Sequence, residues 1–365
     1  SDIGINANLL HVRKCNVRKG GQVMLSIYVN DKTVYIMCGT SRKDVLQVTY
    51  QKKYALQDGW VVNGFIQKPD EVKNLLQESL SSVPNKEKKE VVLTVATTTA
   101  IYRDFTAGKL RKNELDLLVY YTMKSQISGF EEYAMDYTYE DISDKQVQVI
   151  ACSVPKRLIT EYTEVLKSLK FSRIRITGCS YNLLNWVKTQ LPPQKECYVI
   201  GSQMADSIHT ILLKDNRMVI TNNMRIGSNQ QRENALVQRI SQVMQFQRAK
   251  DDTMVTKAFL TTDFMDEETA AQISLQLGVE VEVLNGNCVI GCGPINVSES
   301  IMTLGALIGM DKPVDLTRYE RFEKERKKAE KTKSPFLIAL LILNIVTIAG
   351  LFGYGTFQAV RYENQ

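Results

Sequence analysis

Histidine is almost missing from this chain: His11 and His209 are the only two. They lie far apart in sequence, which argues against a histidine-based triad and against a metal held by several imidazoles. GxSxG, HExxH, a lysine-bearing phosphate loop and GxGxxG are all missing too. The seven cysteines, Cys15, Cys38, Cys152, Cys179, Cys197, Cys288 and Cys292, are odd in number and scattered. Most have apolar, strand-like neighbours (IACSV, ECYVI), the setting of buried thiols in a reducing compartment. Cys288 and Cys292 have a knuckle-like spacing, but no second pair or nearby His accompanies them, so they read as small core residues. His209 alternates with apolar neighbours in SIHTILL and reads as a strand residue.

Charge of one sign is also scarce outside a single stretch. The net charge is +6, and Arg318, Arg321, Lys324, Arg326, Lys327, Lys328, Lys331 and Lys333 supply most of it against four Glu. The rest is close to neutral, which argues against nucleic-acid binding. The stretch 312–335 reads as a charged juxtamembrane linker, a solvated helix with Glu/Lys pairs three or four apart whose basic end suits anionic headgroups.

Long apolar runs are absent until residue 336. There FLIALLILNIVTIAGLFGYGTF, Phe336 to Phe357, runs 22 residues without a charge. At ~1.5 Å per residue it reaches across a hydrocarbon core of roughly 30 Å. The basic residues precede it and only Arg361 follows, so residues 1–335 are expected in the cytoplasm and 358–365 as the start of an extracytoplasmic part. Within the span Asn344 calls for a polar partner, and Ala349 and Gly353, four apart, let another helix approach closely.

Before the span, strands and helices alternate, an α/β pattern. Two stretches, 24–51 and 197–226, each read as a three-stranded meander. In the second, a strand over Cys197–Ile200 is expected to enter a polar turn, Gly201-Ser202-Gln203, and a second strand to leave over Ser207–Leu213. Each meander is followed by a helix and a strand (70–83 and 90–99; 233–249 and 257–262). Further pairs follow (156–169 and 172–179, preceded by a strand at 146–154; 267–278 and 279–284), and a closing helix at 298–309. The chain therefore reads as duplicated: 23–194 forms a first half and 195–311 a second, facing across a cleft. Residues 103–143, with a helix near Asn113–Ser125, form an inserted subdomain.

Three passages, GWVVNGFIQKPDEVKNLL (59–76), RKNELDLLVYYTMKSQISGFEEYAMDY (111–137) and NMRIGSNQQRENALVQRIS (223–241), carry a resemblance. Over residues 23–311 the chain resembles the actin-like ATPases of the PilM and FtsA type, and within them the PilM and GspL platform proteins of pilus and secretion machines. The resemblance implies a duplicated, RNase H-like ATPase fold with a small inserted subdomain. It implies partners of the PilN/PilO or GspM kind, cytoplasmic assembly-motor components and possible self-association. The C-terminal span looks like the start of a PilN- or GspL-type membrane protein fused to that domain. PilN docks through an Ile-Asn-Leu-Leu-Pro motif; residues 1–22 echo it loosely at Asn8, Leu9, Leu10 and Arg13, a partner-binding candidate beside the plainer reading of a leader. An FtsA-type anchor is a rival, but such anchors use an amphipathic helix instead of a full span.

The resemblance also implies where phosphates are held: an Asp-x-Gly in each meander, the Asp orienting hydrated magnesium and the Gly admitting backbone N–H groups, and a later pair of glycines beside the nucleoside. Here Tyr28 and Asn30 occupy the first motif, Val199 and Gly201 the second, with Ser202 and Gln203 beside it able to meet an anion weakly. Thr261 and Thr262 stand at the glycine pair. The cleft is thus expected to be vestigial, with no catalytic residue, no metal and no required cofactor. ATP with magnesium, held in a shifted register by an active switch, is the alternative.

Overall fold

The computed structural model describes residues 23–42, 45–83, 90–191, 195–204, 206–227, 231–262, 265–284, 287–289, 294–308 and 313–332. In chain order, β1 (Val23–Val29), β2 (Thr33–Arg42) and β3 (Val45–Ala55) form the first meander. A short hairpin, β4 (Val61–Val62) and β5 (Phe65–Ile66), leads to α1 (Pro69–Ser81) and β6 (Glu90–Val95). Then come β7 (Ile101–Gly108), α2 (Lys112–Gln126), β8 (Tyr133–Asp141), β9 (Gln146–Pro155), α3 (Lys156–Ser168), β10 (Arg173–Gly178) and α4 (Cys179–Gln190). The second meander is β11 (Cys197–Met204), β12 (Ser207–Lys214) and β13 (Arg217–Arg225). It is followed by α5 (Arg232–Asp251), β14 (Lys257–Thr262), α6 (Glu267–Leu277), β15 (Glu280–Val283), β16 (Asn287–Val289), β17 (Pro294–Asn296), α7 (Val297–Ile308) and α8 (Glu320–Thr332).

The two large sheets have one topology. The first runs β10-β6-β1-β2-β3 and the second β13-β12-β11-β14-β15. In each, the meander strands are antiparallel and the first of them pairs in parallel with the strand that follows a helix. Side chains alternate across a strand, so each sheet buries two faces. On β11, Val199 faces the outer core with Leu236 and Ile240 of α5, whereas Tyr198, Ile200 and Met204 face the core shared with the first half.

Between the sheets lie α4 and α7, packed on one another; α7 also touches β1, β2 and β11, and α4 touches β10 and β12. Gly305 sets their approach, since a Cβ there would fall 2.0 Å from the carbonyl oxygen of Asn182. Sequence reasoning leaves 180–194 without an element. The reason is physical: nearly all of α4 is buried, polar Asn182 and Asn185 included, so its polar residues do not mark one solvated face.

The inserted subdomain is a sheet of order β7-β9-β8 covered by α2. It is wider than expected. The strand expected at 146–154 belongs at its centre and not in the first large sheet. Val147, Val149 and Ala151 of β9 face α2, while Ile150, Cys152 and Val154 join the main core. A strand buried on both faces carries no sign of which sheet owns it.

The linker is helical at Glu320–Thr332, as expected, but it is not simply solvated: Phe322 is 1% exposed in the core of the inserted subdomain. Among the described residues, no helix is long and apolar enough to cross a membrane. The expected span, with Phe336, Asn344, Ala349, Gly353 and Phe357, lies outside the described residues, as do Asn8, Leu9, Leu10 and Arg13.

One junction predicts a pH effect. Strand β7 lies against β13, and there the Asp104 Oδ2 atom has no hydrogen-bond partner among the described residues. Burial pushes the Asp104 carboxyl up to about 7, with Arg217 and Lys188 pulling the other way. The folded state therefore holds this proton more tightly than the unfolded chain, whose carboxyl titrates near ~3.9. Stability falls as pH rises between those values, and the full penalty is present above them. Asp104→Asn is expected to raise denaturant stability by roughly 1–3 kcal/mol at pH ~8 and to change it little at pH ~4. Equal unfolding midpoints at the higher pH would contradict this.

Candidate functional site: a cleft closed by its own charges

The first meander turns through Asn30, Asp31, Lys32 and Thr33. Asn30 folds this turn itself: its Oδ1 accepts from Lys32 N (2.9 Å), Thr33 N (2.7 Å) and Thr33 Oγ1 (2.9 Å). A buried side chain thus occupies the position where the resemblance calls for glycine. Beside it, Tyr28 is fully buried, and burial, with Cys179 next, raises its phenol well above the ordinary range. It is a neutral core group.

The second meander corrects the expected register. Gly201, Ser202 and Gln203 are not a turn. β11 continues to Met204, pairing with β12 throughout (Met204 with Ser207), so the chain reverses only beyond Met204. Glycine at 201 serves packing, because a Cβ there would meet Leu260, Ile240 and Leu236 at 2.9–3.2 Å. Val199 and Gly201 lie on the α5 face, away from the cleft. Gln203 also points outward, its amide donating to the Arg232 carbonyl and accepting from Arg232 Nε, both at 3.0 Å. Matching the hairpins and the parallel pairings of the two halves sets Ser202 and Met204 against Tyr28 and Asn30. In the second meander the matching positions are therefore Ser202 and Met204, neither an acid nor a glycine, in place of the expected Val199 and Gly201.

Thr261 and Thr262 are buried in β14, paired with Ser202 and Gln203. Asn223, His209, Ser202 and Thr261 form one cross-strand row on β13, β12, β11 and β14. His209 Nδ1 and Asn223 Oδ1 are 2.9 Å apart. Burial lowers the His209 pKa against that hydrogen bond, so the ring is neutral and Nδ1–H donates. Asn223 also accepts from Ser180 Oγ of α4 (3.2 Å) and donates to the Thr97 carbonyl of the first half (3.4 Å). His209 Nε2, Ser202 Oγ and Thr261 Oγ1 are buried without a partner among the described residues.

Sequence reasoning missed the residues that close the cleft. Asp31, 7% exposed, lies at the first hairpin tip, and Asp206 at the second. Arg225, at the end of β13, reaches both: Nη1 is 2.7 Å from Asp31 Oδ2 and Nη2 is 2.9 Å from Asp206 Oδ2. Each guanidinium nitrogen holds one carboxylate, and the two hairpins are stapled together. The hairpin between β4 and β5 reinforces the closure. Its tip is Asn63-Gly64, with φ of 51° and 83°, the left-handed pair of a tight turn. The two amides of this tip donate to Asp31, Asn63 N at 2.7 Å and Gly64 N at 3.1 Å. Adjacent amides of this kind make an anion cradle, and here the chain's own carboxylate fills it. A signal was present: an Asp at each meander tip, and an Arg ending the strand beside one of them.

The space left among Asp31, Asn63, Thr97, Ser207, His209 and Arg225 is about 10 Å³, room for about one water. Small-molecule pockets run to roughly 300 Å³ or more. The charged groups sum to one excess negative charge, the wrong sign for a triphosphate. Among the described residues, no group of three or more His, Cys, Asp or Glu is placed to hold a metal.

No protein-family profile and no curated protein matches the sequence. Solved structures do match. A chain of the PilM-PilN type IV pilus biogenesis complex aligns with a TM-score of 0.65 at 13% identity, over 78% of this chain and 97% of that one. The cytoplasmic domain of EpsL, an inner-membrane component of the type II secretion system of Vibrio cholerae, aligns at 0.46 with 11% identity, over 80% and 97%. A Bacteroides thetaiotaomicron protein with an actin-like ATPase fold aligns at 0.46 with 13% identity, over 80% and 98%. The chain therefore shares the fold of that PilM-PilN chain, and its resemblance to the actin-like PilM proteins holds at the level of the fold.

Proposed function

We propose that this protein is a membrane-anchored, nucleotide-inactive scaffold in the inner-membrane assembly platform of a type IV pilus or a type II secretion-like machine. The fold supports the platform half of this reading through its likeness to a chain of the PilM-PilN complex. The single observation that carries the inactive half is the Asp31–Arg225–Asp206 staple across the hairpin tips. Hydrolysis needs phosphate and metal held together between those tips. The staple places carboxylates there, and Tyr28, Asn30, Ser202 and Met204 supply neither an acid nor a glycine. Residues 336–357 anchor the chain, residues 1–335 face the cytoplasm, and its contacts are with PilN/PilO- or GspM-like platform proteins and assembly-motor components.

An ATP-binding switch of the same fold is the second reading. One observation favours it: His209 Nε2, Ser202 Oγ and Thr261 Oγ1 are buried and unpartnered in a row, and an opened cleft would offer them polar partners. The discriminating test is the melting temperature of the full chain in detergent with about 1 mM Mg-ATP. A ligand at ~100 times its dissociation constant adds about 2.7 kcal/mol. The scaffold reading expects no shift; a rise of several degrees selects the switch.

A further inference from the structure

The tail before the expected span is bound into the molecule. Val314 and Leu316 are buried in the main core. Thr317 Oγ1 donates to the Ile174 carbonyl of β10 (3.4 Å), and Asp315 N donates to Asp136 Oδ2 of β8 (2.6 Å). Both β10 and β8 end their sheets, and an uncovered sheet edge offers unpaired backbone groups. The segment Pro313–Arg318 runs between these edges.

One turn later the contact becomes electrostatic. Arg321 Nη2 lies 2.6 Å from Asp136 Oδ1 and 3.7 Å from Asp116 Oδ1. Asp116 also accepts from Tyr137 OH at 2.8 Å. Asp136 is 1% exposed and Asp116 4%. The Arg321 guanidinium lies 4.6 Å from the Phe322 ring centroid and 5.7 Å from that of Tyr137. Lys156 of α3 pairs with Glu323 at 2.8 Å. Two buried carboxylates thus face one arginine, which comes from the tail.

We propose that residues 313–323 are a latch that seats the membrane-side helix on the inserted subdomain, with Arg321 as its key and the acidic recess of Asp116 and Asp136 as its lock. The inserted subdomain is then the part of the molecule that feels the tether. Its tie to the membrane rests on the anchored-scaffold reading above; the latch itself does not.

The physics gives a local readout. A charged helix of 13 residues is marginal alone in water, so the protection of α8 depends on its seat. Hydrogen exchange of the full chain in detergent reads this directly. With Arg321→Ala, amides of 320–332 are expected to exchange at least ~10-fold faster, those of β8 to follow, and those of β11 and β14 to stay as they were. Should Arg321→Ala loosen the whole chain, Arg321→Lys is read instead, since it keeps the charge and loses the planar fork. Acceleration confined to α8 and β8 in either variant supports the latch. Unchanged α8 exchange in both variants, or uniform acceleration in both, overturns it. A membrane-insertion assay of residues 336–357 reports separately on the anchor.

Discussion

Arg225→Ala is expected to unstaple the two hairpins, lowering stability by about 2 kcal/mol and speeding exchange at residues 30–33 and 206–209. The estimate follows from what is left behind. Asp31 keeps its two amide donors but loses its only guanidinium contact among the described residues, and a buried charged acceptor robbed of its partner costs roughly 1–3 kcal/mol. Asp206 is more exposed, at 18%, and adds less. A double-mutant cycle of Arg225→Ala with Asp206→Asn should return a coupling of at least about 0.5 kcal/mol if the staple is one unit. The variant is not expected to gain nucleotide binding, because its cleft keeps both carboxylates and loses the guanidinium between them. Hairpin exchange unchanged by Arg225→Ala would mean that the halves are held together by α4 and α7 alone.

The second large effect concerns those helices. Gly305→Ala is expected to cost about 3–5 kcal/mol. The new methyl would fall 2.0 Å from the Asn182 carbonyl oxygen and 2.7 Å from its carbon. Both are backbone atoms of α4, so no rotamer change relieves the clash, and the helices must separate. Gly201→Ala is the control. The three atoms nearest its Cβ are side-chain ends of Leu260, Ile240 and Leu236 at 2.9–3.2 Å, which yield by small rotations, for about 1–2 kcal/mol. Denaturant unfolding of both variants checks the order. Equal losses would mean that the helix contact relaxes as easily as a leucine side chain.

The duplication was legible because meander strands alternate and their turns are polar. Helices α1, α3, α5 and α6 each bury one face and expose the other, so their period shows, whereas strands β1, β2, β11 and β12 are buried on both faces and were readable only as apolar runs bounded by polar turns. Helix α4, buried along nearly its whole length, shows no exposed face and went unseen, and β9, buried on both faces, was left outside the inserted subdomain. At the cleft, the missing acids were readable and the register was not. Gly201 attracted the turn because glycine usually marks one, yet its role is to admit α5. The hairpin tip falls at Asp206, and parity then turns Val199 outward and Ser202 inward. The staple needed three residues from three places in the sequence, and only the fold brings Asp31 and Asp206 each within 3 Å of Arg225. The docking of Arg321 and Phe322 was hidden for a similar reason: a run of charges reads as solvated unless its partners are known.

The central claim is that the cleft between the halves is closed by the protein's own side chains and takes no nucleotide. An experimental structure of the full chain, determined with about 10 mM Mg-ATP present, tests it most directly. The account predicts Arg225 between Asp31 and Asp206, with no nucleotide density between the hairpin tips. A triphosphate seated there, with Arg225 swung away from either carboxylate, would contradict it.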